Sequence, residues 1–123
     1  MAIDHVTIKV KDLAKAQAFY AAALKPLGYA VLAEHAGMFV GLGEGGKPDL
    51  WLAKYEQTLP PAHVAIAAKS AADVDAFHKA ALAAGGKDNG APGKRAEYHA
   101  GYYGAFVYDP EGNNLEAVLH NHK

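Results

Sequence analysis

Residues 3–10 alternate between apolar and polar: Val6, Ile8 and Val10 fall on one face, and His5 and Thr7 on the other. A period of two predicts a strand with one face in the core. A helix is predicted next, with Asp12 as its N-cap and Phe19 and Leu24 as apolar contacts. Gly28 ends it. Three shorter strands fit residues 29–35, 38–42 and 50–53, separated by Ala36-Gly37 and by the flexible GEGGKP turn.

The same pattern returns after Pro60-Pro61. Laid without a gap on the segment from Ala62, the segment from Asp4 places His5 on His63, Val6 on Val64, Ile8 on Ile66, Phe19 on Phe77, Leu24 on Leu82 and Gly28 on Gly86. Alanine is abundant here, but coincident histidines and phenylalanines are not a product of composition, and the chain reads as a duplicated unit. In the second copy Ser70 caps the helix and Gly85-Gly86 ends it. Strands follow near 86–89 or 97–99, then at 103–108 and 114–119. The DPEGN run from Asp109 to Asn113 is a strong hairpin signal. The stretch 89–104 reads as a long glycine-rich loop. The expected architecture is a single α+β domain of two βαβββ modules, about 1–58 and about 61–123.

Composition narrows the classes of function. At 51% hydrophobic the chain carries enough apolar side chain for a core, and a net charge of -1 gives no electrostatic reason to expect nucleic acid or an anionic membrane. No apolar run approaches the roughly 18 residues of a membrane-spanning helix, and no signal-peptide pattern is present. With no cysteine, disulfides, thiolate metal sites and cysteine nucleophiles are excluded. A cytoplasmic enzyme or binding protein is expected.

Alternation then points to candidate chemistry. If Leu115, Ala117 and Leu119 pack on the helices, Glu116 turns to the face that carries His5 and His63. Two imidazoles and a carboxylate on one cavity suit a divalent zinc, manganese, nickel or iron ion and leave positions for substrate and water. Glu116 could alternatively pair with Arg95 or Lys94. Tyr98, His99, Tyr102 and Tyr103 form a dense polar-aromatic cluster. Its structural reading is ordinary strand composition. Its functional reading makes His99 or Tyr103 a proton donor and Tyr102 and Tyr103 substrate contacts, with His99 favoured for acid–base work because an imidazole titrates near neutrality. His35, His78, His120 and His122 read as surface residues. GEGG and GGKDNG lack a following P-loop lysine and read as turns.

IDHVTIKVKDLAKAQAFY, PAHVAIA and YDPEGNNLEAV resemble the vicinal oxygen chelate superfamily of glyoxalases, bleomycin-resistance proteins and extradiol dioxygenases, across essentially the whole chain. The resemblance implies a curved mixed sheet with helices on its outer face, open edges buried by pairing of modules, and a homodimer. It also implies that His5, His63 and Glu116 are metal ligands. Glyoxalase-type members add a carboxylate or amide ligand on the last strand of the first module. Trp51 stands there, and an indole cannot ligate, which leaves a three-ligand set of the extradiol kind. The resemblance therefore implies a metal-dependent lyase, isomerase or dioxygenase acting on a small substrate. The rival is a metal-free binding protein of the bleomycin-resistance kind, holding an aromatic ligand against Trp51 and the tyrosines.

Overall fold

A computed structural model describes residues 3–123; the first two residues of the first module lie outside the described residues. The order is β1 (Val6–Val10), α1 (Leu13–Leu24), a 3-10 turn (Lys25–Leu27), β2 (Ala30–His35), β3 (Phe39–Glu44) and β4 (Lys47–Lys54). The second module follows as β5 (His63–Ala67), α2 (Ala71–Ala83), β6 (Lys87–Lys94), β7 (Tyr103–Tyr108) and β8 (Asn114–Leu119). The α+β fold of two βαβββ modules is thus what the chain adopts. Its strands form two four-stranded mixed sheets of identical topology, β1-β4-β3-β2 and β5-β8-β7-β6, in which only β1/β4 and β5/β8 are parallel.

Local chemistry sets the boundaries. The Asp12 carboxylate accepts from the Lys15 amide and the Ser70 hydroxyl from the Asp73 amide, so both expected N-caps form. Helix α1 ends earlier than Gly28, because Pro26 converts its last residues into the 3-10 turn, which Gly28 closes in the left-handed region. Strand β6 follows the first of the two expected placements and runs on to Lys94, while residues 97–99 lie in a turn. Pairing with β7 overrides the glycine-rich composition that reads as a loop, and the register slips on both sides of Gly90.

One core joins the modules. Helix α1 packs on β4, β2 and β3, α2 packs on β6, β7 and β8, and the helices pack on each other. Phe19, Tyr20, Leu24, Val74 and Phe77 are buried at that junction. The DPEGN hairpin clamps the first module from the second. Asp109 accepts the Tyr20 hydroxyl (2.6 Å) and the Glu111 and Asn113 amides, and Glu111 accepts the Lys11 and Asp12 amides at 2.8 Å. Burial and the Asp109 carboxylate together push the Tyr20 hydroxyl well above the usual phenol range. Among the described residues no helix is long and apolar enough to cross a membrane.

Tyr20→Phe removes one buried donor while keeping the ring. It should lower stability by about 1–2 kcal/mol, read as a lower denaturant midpoint with an unchanged m value. At the start of the chain, exposed Asp4 is hydrogen-bonded to Lys47 and His5, which hold its carboxyl at about 2. A depressed carboxylate stabilises above its ordinary range and loses that contribution as pH falls through the folded value. The Asp4 carboxyl should titrate near pH 2 by carbon NMR and move upward in Lys47→Ala.

Candidate functional site

Each sheet turns one face to the core and leaves the other free. In the first sheet the register sets Thr7, Trp51 and Gly41 side by side across β1, β4 and β3. Opposed residues point the same way, so these three share the outer face. The indole lies directly on Gly41, where a Cβ would stand 2.7 Å from Cζ3 and 2.8 Å from Cη2. The strand glycine is what allows Trp51 to lie flat. Phe39 meets the indole edge-on at 5.7 Å, and His35 stacks on Phe39. His5, Thr7, Phe39, Trp51 and Ala53 line an open cavity of about 300 Å³.

The equivalent face of the second sheet is polar at its centre. Ala65, Glu116 and Phe106 are register partners across β5, β8 and β7. They occupy the places of Thr7, Trp51 and Gly41, so Trp51 and Glu116 are equivalent, as alignment of the two last strands suggests. Glu116 faces outward yet is only 1% exposed. Its carboxylate meets His63 Nε2 at 2.8 Å through Oε1 and accepts the Tyr102 hydroxyl through Oε2. A carboxylate can only accept, so His63 donates to it through Nε2–H. Gly104 gives Tyr102 its path, since a Cβ there would stand 3.0 Å from the ring. Burial first, then the hydrogen bond and charge of Glu116, push the Tyr102 hydroxyl up, so it remains a donor.

Around Tyr102 the loop is ordered by its own contacts. His99 Nδ1 accepts the Gly101 amide, which puts the His99 proton on Nε2, 2.9 Å from His120 Nδ1. Both imidazoles and Tyr98 meet the Tyr102 ring edge-on. Tyr103 lies on the core side instead. Its hydroxyl donates to Asp75 of α2 at 2.7 Å and its ring rests on His122.

The sequence candidates therefore separate. His63, Glu116 and Tyr102 come together, with His99 one ring away. Trp51 stands on the other sheet beside His5. His5 pairs with Asp4 at 2.7 Å rather than with His63 and Glu116. Among the described residues no three or more histidine or carboxylate groups gather to hold an ion. Two of the three expected donors meet, and both Glu116 oxygens already have partners, so the arrangement within one chain does not fit a three-ligand metal. Gly41 and Phe106 carry no signal in the sequence because strand register alone brings them beside Trp51 and Glu116, and Arg95, a possible partner of Glu116 by sequence, forms no ion pair with it.

Known proteins agree with the fold. A structure described as a glyoxalase/bleomycin resistance protein from Albidiferax ferrireducens is 29% identical, with a TM-score of 0.78 over 93% of this chain and 95% of that one. A glyoxalase/bleomycin resistance protein/dioxygenase family enzyme from Burkholderia phytofirmans superposes at 0.74 with 22% identity, over 98% and 99% of the two chains. Lactoylglutathione lyase from Agrobacterium tumefaciens superposes at 0.70 with 21% identity, over 95% and 92%. No curated protein matches the chain. The Glyoxalase/Bleomycin resistance protein/Dioxygenase superfamily description matches residues 2–117, nearly the whole chain, and the chain belongs to that superfamily.

Proposed function

We propose that this chain is a small-molecule-binding member of the superfamily whose ligand is a planar aromatic compound held on the outer face of the first sheet. The observation that carries this reading is the Trp51 indole laid on Gly41, with Phe39 edge-on beside it, above an open cavity edged by His5 and Thr7. A flat ring can stack on the exposed indole face. The Thr7 hydroxyl and the imidazole offer polar contacts at its rim. The wall keeps its shape without a ligand because Gly41 and Phe39 fix the indole from two sides, so little ordering entropy is lost on binding.

A second reading keeps the metal-dependent lyase, isomerase or dioxygenase. It is supported by the His63–Glu116 pair at 2.8 Å. It requires Tyr102 to release Glu116 and a third donor to arrive, either His5 of the same chain or its copy across a homodimer. His99 is a candidate proton carrier in this second reading, whereas the position of Tyr103 supports a structural role.

The chain has one tryptophan, so its emission reports on the first reading directly. An uncharged planar probe such as 2-naphthol should quench Trp51 saturably. Gly41→Ala, which drives a methyl group into the indole, should shift the emission and weaken the probe by roughly tenfold. Absence of saturable quenching up to millimolar probe would defeat the proposal. For the second reading, protein purified without chelator should carry about one divalent ion per site, and Glu116→Ala should lose it. Metal-free wild type that takes up no zinc, iron, manganese or nickel in calorimetry would remove that reading.

A further inference from the structure

We propose that Arg95 and the Phe106 face of the second sheet form a binding site for the carboxylate of a planar organic acid. Arg95 is the only arginine of the chain. It forms no ion pair among the described residues. Its guanidinium is partly buried and fixed. One terminal nitrogen donates to the Ala91 carbonyl at 2.8 Å and the other more weakly to the Lys94 carbonyl at 3.4 Å. The plane is held with its carbon 5.5 Å from the centre of the Phe106 ring. Two glycines make the cradle: a Cβ at Gly90 would stand 3.3 Å from one terminal nitrogen, and a Cβ at Gly93 would stand 3.1 Å from the other.

A guanidinium has five N–H donors, and backbone carbonyls occupy only part of that set. The remainder is an oriented fork without an acid, and a carboxylate matches that geometry with two parallel charge-assisted bonds. What surrounds the fork favours a flat ligand. The Phe106 ring is shared with His63, whose ring centre lies 6.3 Å away, and Phe106 is the register partner of Glu116. Both Glu116 carboxylate oxygens are engaged by the His63 and Tyr102 donors, and Glu116 forms no ion pair with Arg95. Lys94, next in the chain and exposed, adds a second positive charge to the rim.

This site is on the opposite sheet from Trp51 and does not rest on the ligand proposed there. The test separates the two by working in Trp51→Ala, with folding checked by circular dichroism. 2-Naphthoate titrated calorimetrically into that variant should still bind saturably, at one site per chain. The uncharged 2-naphthamide should bind roughly tenfold weaker or less, the loss expected when a charge-assisted hydrogen bond is removed. Adding Arg95→Ala should bring the acid down to the level of the amide. Adding Gly93→Ala instead, which retains the arginine but pushes its guanidinium by a few tenths of an ångström, should weaken the acid in part. Arg95→Lys, which keeps the charge without the fork, should fall between. Acid binding no tighter than the amide in Trp51→Ala, or undiminished by both Arg95→Ala and Gly93→Ala, would overturn the proposal.

Discussion

The buried Asp109 carboxylate is the constraint on which the arrangement of both modules depends. It gathers the Tyr20 hydroxyl, the Glu111 and Asn113 amides and the Asn113 side-chain amide. It thereby closes the hairpin between β7 and β8 and pins α1 to it. A buried charge is tolerable only with such a set of donors. The same hairpin carries Glu111, which satisfies two amides at the start of α1, and Asn113, which holds the Ala62 amide just before β5. The partner of His63 is fixed by these contacts, because the parallel register that sets Ala65 beside Glu116 begins at Ala62 and Asn114.

With the modules so placed, the pair of outer faces shows how a duplicated unit diverges under packing. At one equivalent position the first module has a large aromatic, Trp51, and its cross-strand neighbour is Gly41. The second has Glu116, and its neighbour is Phe106. Size is conserved across the pair rather than at each residue. A large ring over a glycine makes a flat apolar wall. A carboxylate beside a large ring is screened from water and must find donors, which here are His63 and Tyr102. Enlarging Gly41 alone would drive a side chain into the indole, and removing His63 or Tyr102 would leave the Glu116 carboxylate short of a donor.

Much of this was legible in the sequence, and the physical reason is periodicity. The duplication gave both βαβββ modules, both N-caps and the hairpin. Strand alternation put Glu116 on the face of His63 and away from Leu115 and Ala117. Legibility ended where contacts depend on which strand lies next to which. The β6 segment, rich in glycine and proline, carries no alternation of its own and is a strand only because β7 pairs with it. Tyr102 and Tyr103 are adjacent in sequence, and composition cannot say which one faces Glu116; a period of two must send them to opposite sides. The place of Arg95 was open for the same reason. By sequence it was a possible partner of Glu116, and the glycines at 90 and 93 that seat it read as loop residues.

The two histidines that align in the repeat are not held alike. His63 opens β5, inside the parallel ladder with β8, and its ring is oriented by a carboxylate with almost no solvent exposure. His5 precedes β1 and is oriented by Asp4, which is itself exposed and shared with Lys47. Screening by water and salt weakens the second arrangement far more than the first. A buried, doubly hydrogen-bonded acceptor fixes the tautomer and direction of its imidazole, whereas an exposed one leaves the ring free to exchange partners. The second module thus holds His63, Glu116 and Tyr102 in one hydrogen-bonded set beside Phe106, with Arg95 on the same ring. The first offers shape, through Trp51 and Phe39. In this chain the equivalent positions of the duplicated unit carry different side chains on their outer faces, and the aligned histidines are oriented by carboxylates of very different burial.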